Sequence, residues 1–579
     1  MKTLKGMGVS PGIAIGHVYV IKNRFSLSYN NNYNGKIKAE NLLKEIEKFK
    51  EALIFAEKEI INTQKNITKT LGEKYGEIFA MHLLLLKDKN LQEETIKNIK
   101  EAGVSAEYAF HNTLNKILEN FGKKDDPAFE DRRKDLFDVA EKIFSYLNRE
   151  KFYSFAVKEK TIIAAHDLSP SQTAVLNPHN TIGFITEIGS STSHTAIMAK
   201  ALEIPAVVGM DEITKQLKDE QIIIVDGFNG DIIIEPSEEV LKKYEKIQKE
   251  YLEQRKNLYM MKSLVSKTPD GKKINLLANI ELPEEINTVV KYGAEGVGLY
   301  RTEYLFLNRR EMPSEEEQFH SYKKVLLLLK DKPMVIRTLD IGGDKFISEL
   351  RTPKELNPFL GNRAIRFCLS QVEFFKTQLK AIMRAGYYGD LRLLIPMVSA
   401  FEEIKETKKI IQECELELKR ENKKFKRLSF GIMIEVPSSA LISDILAKEV
   451  DFFSFGTNDL IQYTIAVDRV NEKISYLYQP LHPAILKLIK ISVENAKKYG
   501  IKTSVCGECA SIPEIACVLL GLGVDELSMS PSMIPRIKQT IRKTGFKKME
   551  QIAEKVFEFS THQQIYDYVK NNLNMGGEK

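Results

Sequence analysis

One histidine stands where a short apolar, β-prone run gives way to helix-forming residues. Ile182-Gly183-Phe184-Ile185-Thr186 precedes it, Thr195 to Leu202 follows, and between them lies Gly189-Ser190-Ser191-Thr192-Ser193-His194. The glycine and hydroxyl residues mark a turn and a helix cap. His194 then falls in the first helical turn. Unpaired backbone N–H groups and the positive end of the helix dipole favour a neutral imidazole there and receive an incoming anion such as a phosphoryl group. A neutral ring nitrogen can attack phosphorus, which makes His194 a candidate nucleophile; the plain structural reading of the same residues is a capped helix start with a packing histidine.

A second set of chemistry-bearing residues occupies the other half of the chain: Arg301, Arg337, Asp340, Glu435, Asn458, Asp459 and Cys506, each just beyond or at the end of a short apolar run. Arg301, Arg337 and Arg469 offer planar forks that hold phosphate or carboxylate bidentately, and Arg363, within Asn357-Pro358-Phe359-Leu360-Gly361-Asn362-Arg363, adds another. Glu435 and Asp459 have no thiolate or imidazole cluster near them in sequence, which suits a hard cation such as Mg2+, or else a pair of loop salt bridges. Cys506-Gly507-Glu508-Cys509 has CxxC spacing. A structural zinc site wants a second pair, and a thioredoxin motif opens a helix in a much smaller fold. A thiol with a pKa of about 8.5 stays mostly protonated near neutrality and can donate a proton to a carbanion-like centre. Cys506 is the nearer of the two to a strand end. The remaining eight histidines show no metal-binding spacing, and His482 reads as a loop residue with no role.

Elements that position these residues follow from the pattern of apolar residues. From residue 272 a short apolar strand, a polar turn and a helix alternate. Eight strand candidates are Ile274 to Ile280, Gly296 to Tyr300, Met334 to Thr338, Leu391 to Met397, Phe430 to Ile434, Phe452 to Phe455, Thr503 to Cys506 and Val524 to Met529. Eight such units predict a TIM (β/α)8 barrel over 266–579, with chemistry at the C-terminal ends of its strands. Residues 1–30 and 150–235 read as short β runs between Gly, Pro and Asn turns, an α/β domain. The stretch 31–149 carries apolar residues three and four apart, a helical bundle inserted into that domain, with breaks near Leu71-Gly72, Ala102-Gly103 and Gly122 to Pro127. Ser237 opens a charged helix that gives a helical linker over 236–265.

Composition narrows the class. The 579 residues exceed one core, and a formal net charge of +6 from 85 basic and 79 acidic residues gives no case for nucleic acid. Five cysteines, all in the second half, suit a reducing cytosol better than a disulfide framework. No secretory pattern or apolar run of membrane-spanning length is present, so a soluble cytoplasmic protein is expected.

Taken together, the motifs resemble Enzyme I of the phosphoenolpyruvate-dependent sugar phosphotransferase system, the phosphoenolpyruvate-protein phosphotransferase family. They are Ser10-Pro11-Gly12-Ile13-Ala14, Asp167-Leu168-Ser169-Pro170-Ser171, the His194 segment, Gly298-Leu299-Tyr300-Arg301-Thr302-Glu303 and Asp340-Ile341-Gly342-Gly343-Asp344-Lys345. Ile434-Glu435-Val436-Pro437, Phe455-Gly456-Thr457-Asn458-Asp459-Leu460 and Cys506-Gly507-Glu508 complete the set in the same order. The resemblance implies that the α/β domain is a phosphohistidine domain. It implies that His194 takes a phosphoryl group from phosphoenolpyruvate, releases pyruvate and passes the group to a histidine of the carrier protein HPr, the first step of sugar uptake. It further implies that Thr173 orients His194, that Arg301, Arg337, Asn458 and Arg469 bind phosphoenolpyruvate, that Glu435 and Asp459 hold Mg2+, and that Cys506 protonates the enolpyruvate carbon. Arg363 and Asp459 are expected beside the substrate. An HPr-docking helical insertion, a homodimer through the barrel and a swinging histidine domain are implied as well. One departure is Ser190-Ser191, where the family usually has a second glycine and a basic residue; an altered transfer rate is the expected result.

Three other readings stand beside this one. A pyruvate phosphate dikinase or phosphoenolpyruvate synthase relative shares the histidine domain and barrel but needs a nucleotide-binding domain, and no glycine-rich phosphate loop is visible. A Mg2+-dependent barrel lyase leaves His194 without a purpose. A non-catalytic regulatory binding protein leaves the strand-end residues without one.

Overall fold

The computed structural model describes residues 1–21, 36–71, 73–121, 127–148, 160–168, 180–189, 196, 199–200, 204–306, 311–341, 355–469, 471 and 473–573. His194, Thr173, Ser190 and Ser191 lie outside them. The chain divides into two compact units, Met1–Gln254 and Arg255–Lys579.

In the first unit the strands β1 (Lys2–Lys5), β2 (Met7–Ser10), β3 (Ile13–Ile21), β4 (Thr161–Ala165), β5 (Thr181–Thr186), β6 (Ala206–Val208), β7 (Ile222–Asp226) and β8 (Asp231–Ile234) form one sheet. Their order is β1-β8-β7-β3-β4-β5-β6-β2. The β3, β4, β5 and β6 pairings are parallel and β3 pairs antiparallel with β7. β-Branched residues dominate β7 and β8, and the turn between them is built by Asp226, whose Oδ1 accepts from the Phe228 and Asn229 N–H groups at 3.0 Å each. Gly230 closes it at φ 77°, a conformation glycine reaches without Cβ strain.

Between β3 and β4 the chain forms helices Leu42–Leu71, Glu73–Leu86, Lys89–Ala102, Ala106–Phe121 and Pro127–Leu147. Their apolar stripes meet in a core of their own, with Phe49, Ala56, Ile60, Phe110, Leu114 and Ile143 fully buried. Of the three expected breaks the one at Ala102-Gly103 is present, while Gly72 and residues 122–126 lie outside the described residues; a further break falls between Leu86 and Lys89. Asp88 causes it: its carboxylate accepts from the Asn90 and Leu91 N–H groups at 2.8 and 3.1 Å, an N-cap that starts the next helix. The helix Glu238–Met260 follows β8, and its apolar residues Val240, Leu241, Tyr244 and Ile247 pack on Ile13, Ile224 and Ile233 of the sheet. Gln248 adds a hydrogen bond to the Ile13 carbonyl at 2.8 Å. Its first half is therefore packed structure and not a bare spacer.

The second unit is the expected closed barrel of eight parallel strands: β9 (Asn275–Ile280), β10 (Val297–Tyr300), β11 (Met334–Arg337), β12 (Leu391–Ile395), β13 (Ser429–Ile434), β14 (Phe452–Phe455), β15 (Lys502–Val505) and β16 (Glu526–Met529). Leu299, Val335, Leu394, Met433, Phe452 and Cys506, one from each of β10 to β14 and one just past β15, form a separate apolar cluster. A packed interior of this kind leaves the strand ends as the place for a site. Helices between the strands are capped locally. Ser314 and Glu317 form a reciprocal capping box at Glu315–Leu329. His482, given no role from sequence, caps Pro483–Lys498 by accepting from the Ala484 N–H at 3.2 Å. Among the described residues no helix is long and apolar enough to cross a membrane.

Candidate active site

β11 delivers Arg337 to the C-terminal rim of the barrel with only 9% of its surface exposed. Its Nη2 meets Glu303 Oε1 at 2.9 Å and its Nη1 meets Asp340 Oδ2 at 3.0 Å. Asp340 Oδ1 in turn takes Arg363 Nη2 at 2.7 Å, so two buried guanidinium groups share one carboxylate. Arg363 Nη1 also donates to the Tyr463 hydroxyl at 3.3 Å. Among the described residues neither arginine finds an acceptor for its Nε–H. Burial favours a neutral Asp340, yet Arg337 and Arg363 hold its carboxyl below the usual range. Burial works against the Arg337 charge as well, and Glu303 and Asp340 overcome it. Both guanidinium groups are fixed cations with donor capacity left over.

Glu435, the residue after β13, is 1% exposed and accepts from the Met397 N–H at 2.6 Å. Among the described residues it forms no ion pair. Burial, with Asp459 and Asp340 nearby, pushes its carboxyl well above the usual range. Asp459 stands in the first turn of helix Thr457–Ile465, and burial and Asp340 raise its carboxyl too. Gly456 lets these groups approach, because a Cβ there would lie 2.5 Å from Glu435 Oε2. Asn458 accepts from the Tyr478 hydroxyl at 3.3 Å.

Cys506 follows β15 directly. Its thiol receives Ser454 Oγ at 3.4 Å and lies 3.5 Å from the Phe455 carbonyl. Its own carbonyl accepts from Asn279 Nδ2 at 2.9 Å, and Asn279 Oδ1 accepts from Ser528 Oγ at 2.6 Å, so three strand ends fix its backbone. Burial raises the thiol pKa, which keeps the proton on sulfur at neutral pH. Cys509 contacts Thr457 Oγ1 at 3.1 Å, and burial pushes its pKa up to about 11. All five cysteines are free and buried.

These side chains converge. Arg301, Arg337, Arg363, Glu435, Asn458, Asp459, Arg469 and Cys506 line one cavity of about 430 Å³. Arg301 is held at its edge by Glu281 at 2.6 Å, and Arg469 is exposed at the mouth. Sequence reasoning assigned no role to Glu303 or Glu281 and left Asp340 as an unassigned strand-end residue. Glu303 stood in view, two residues after Arg301, but its partner Arg337 lies on another strand. The cavity joins anion-binding guanidinium groups, unpaired carboxylates suited to a cation, and a protonated thiol, a set fitted to a charged substrate that must gain a proton.

The chain is similar to known proteins along its whole length. Residues 255–546 match the family described as PEP-utilising enzyme, PEP-binding domain; residues 5–132 match PEP-utilising enzyme, N-terminal; and residues 157–230 match PEP-utilising enzyme, mobile domain. The phosphoenolpyruvate-protein phosphotransferase of Staphylococcus carnosus is 41% identical over 571 residues, spanning 98% of this chain and 99% of that protein. That of Bacillus subtilis is 41% identical over 575 residues, 99% of this chain and 100% of the relative, and that of Priestia megaterium 40% over 577 residues with the same coverage. With likeness of this degree from end to end, the chain belongs to the phosphoenolpyruvate-protein phosphotransferase family.

Proposed function

We propose that this protein takes the phosphoryl group of phosphoenolpyruvate onto His194, releases pyruvate, and hands the group to a histidine of the carrier protein HPr in the cytoplasm. The observation that carries the reading is the pair of buried guanidinium groups, Arg337 and Arg363, that share Asp340 and keep both Nε–H groups unpaired in a cavity also lined by Glu435, Asp459 and Cys506. Arg301, Arg337, Arg363 and Arg469 hold the phosphate and carboxylate of the substrate, and Asn458 helps to orient it. As the P–O bond breaks and a bond to a His194 ring nitrogen forms, the guanidinium charges offset the charge spread over the phosphoryl oxygens. The electron pair left on enolpyruvate draws the proton from Cys506 Sγ to the methylene carbon, and pyruvate results. Solvent returns a proton to the thiolate. Thr173 orients His194, and the helical bundle docks the carrier.

The cavity's donor set fits Mg2+. Its described lining carries four arginines, Arg301, Arg337, Arg363 and Arg469, against six carboxylates, Glu281, Glu303, Asp340, Glu435, Asp459 and Glu508, a shortfall of positive charge that a divalent ion offsets. Among the described residues no group of three or more His, Cys, Asp or Glu is arranged to hold a metal on protein ligands alone, which is compatible with an ion held by two carboxylates plus substrate oxygens and water. Glu435 and Asp459 would hold it, and bound there it would polarise the phosphoryl oxygens.

The test is to incubate the pure protein with labelled phosphoenolpyruvate and Mg2+ and to look for acid-labile label on the chain. Label that is absent from His194→Ala is the expected result. An unlabelled wild type overturns the reading.

A further inference from the structure

The opposite end of the barrel holds a second cavity, of about 520 Å³, that the reaction does not use. It is lined by the N-terminal ends of the strands, among them Asn275 of β9, Arg392 of β12, Lys502 of β15 and Glu526 of β16, together with residues that precede β9, β10 and β11. In barrels of this kind the N-terminal face ordinarily serves stability, so an apolar or charge-balanced lining is the expectation. Here, in the described lining, six cations face two carboxylates.

Both carboxylates are already engaged. Glu526 takes Asn275 Nδ2 at 3.0 Å and stands 3.7 Å from Arg392, and Glu295 accepts from Ser266 Oγ at 3.2 Å. Lys273 and Lys502 form no ion pair among the described residues, and Lys332 Nζ is spent only on the Ala294 carbonyl at 2.7 Å. Lys538 is the least ordinary of the group, because its residue is 1% exposed. Its ammonium donates to the carbonyls of Lys262 and Gly293 at 3.3 and 3.2 Å, which leaves one of its three hydrogens without a partner among the described residues. Glu295 attracts its charge but, among the described residues, no carboxylate comes within ion-pair range, and a buried ammonium so placed is costly unless something else supplies the negative charge.

We propose that this N-terminal mouth binds a small phosphate-bearing anion, held by Lys273, Lys332, Lys502 and the buried Lys538. Ammonium groups act as point charges that suit phosphate oxygens, whereas planar carboxylate recognition favours guanidinium forks, and the one arginine present already faces Glu526. The volume falls within the range of about 300–1,000 Å³ of small-molecule sites. Lying at the N-terminal ends of the strands, the site leaves the cavity at their C-terminal ends free to fill at the same time.

Calorimetric titration with inorganic pyrophosphate, without Mg2+, tests the proposal on the full chain. Arg337→Ala removes a central guanidinium from the other cavity, and at a temperature where its unfolding curve shows it folded it should still bind one pyrophosphate. In that background Lys273→Ala with Lys502→Ala, both exposed rim positions, should weaken binding by about tenfold or more, equivalent to about 1.4 kcal/mol. The same rim pair in an otherwise unaltered chain should leave labelling by phosphoenolpyruvate unchanged, which certifies that the rim substitutions preserve the fold. Absence of binding to the Arg337→Ala chain, or equal affinity with and without the rim lysines, overturns the proposal whatever the fate of the phosphoryl-transfer reading.

Discussion

Replacing Gly456 by alanine tests whether the position of the Glu435 carboxylate matters to the reaction. The added Cβ would lie 2.5 Å from Glu435 Oε2, 2.8 Å from Met433 Sδ and 3.0 Å from Glu435 Cβ. Carbon contacts relax near about 3.5 Å, so the carboxylate must retreat by about 1 Å. It has little room, since Glu435 is 1% exposed and its other oxygen is pinned by the Met397 N–H at 2.6 Å. The backbone at Gly456, with φ −85°, admits alanine, so the strain falls on the side chain. Loss of the charge-assisted hydrogen bond costs about 1.5–3 kcal/mol, and a misplacement of about 1 Å in a catalytic constellation slows reaction by about 100-fold. Overpacking alone destabilises the barrel by about 1–3 kcal/mol. The assay is the rate of His194 labelling by phosphoenolpyruvate across a Mg2+ titration, with thermal unfolding alongside. A folded variant should label about 100-fold more slowly and need more Mg2+ for half-maximal rate. A folded variant with unchanged rate and Mg2+ requirement would refute the placement of Glu435 in the reaction.

Further predictions follow from the same geometry. Cys506→Ala should lower pyruvate formation by about 10²–10⁴-fold, the usual worth of a positioned proton donor, while unchanged turnover would remove Cys506 from that role. Arg337→Met strands Glu303 and Asp340 and should cost about 3–5 kcal/mol of stability at neutral pH. Burial already raises the Glu303 carboxyl above its unfolded value, and losing the cation raises it further, so the folded variant binds more protons than the unfolded chain. The deficit should therefore shrink from pH 7 to pH 5 in denaturant titrations, and a deficit that grows on acidification contradicts the account. Asp270 accepts from the Phe546 and Lys547 N–H groups at 2.8 and 3.0 Å, which holds its carboxyl below the usual range. Asp270→Asn should lower the melting temperature above the unfolded pKa of about 3.9, and the difference should vanish as pH falls through the depressed folded value; a pH-independent difference would exclude the charge as the cause. Ser191→Arg should change the rate of phosphoryl transfer to HPr, and identical rates would make the missing basic residue irrelevant.

Much of this was legible in the residues because the barrel repeats a simple rule. Runs such as Phe452 to Phe455 are short, apolar and bounded by polar turns, so their ends could be located, to within two residues for Leu391 to Met397 where the strand stops at Ile395, and the strand-end rule then gathered Arg337, Glu435, Asp459 and Cys506 onto one rim. What sequence could not give was pairing across strands. The hold of Glu303 on Arg337 joins two β/α units, and the sharing of Asp340 by Arg337 and Arg363 brings Arg363 back from 23 residues further along the chain, so neither leaves a local signature. The helix break at Asp88 was signalled by an N-cap residue but lay inside an unbroken apolar period, and periodicity outweighed it. The capping role of His482 was likewise hidden in a loop that looked featureless.

The place where the helical bundle leaves and rejoins the sheet bears on how the first unit folds. β3 and β4 are parallel neighbours, with His17 opposite Thr161 and Ile21 opposite Ala165, so the whole bundle occupies the position of a single crossover connection. The bundle's core is made of residues close along the chain, from Ile46 to Leu147, whereas docking β4 on β3 joins segments separated by all of it. Local contacts form before distant ones, so a collapsed bundle shortens the effective loop that β3 and β4 must close and reduces its entropy cost by on the order of 1 kcal/mol. The bundle thus gives the sheet a kinetic order of assembly, with the bundle's own core complete before the parallel strands meet.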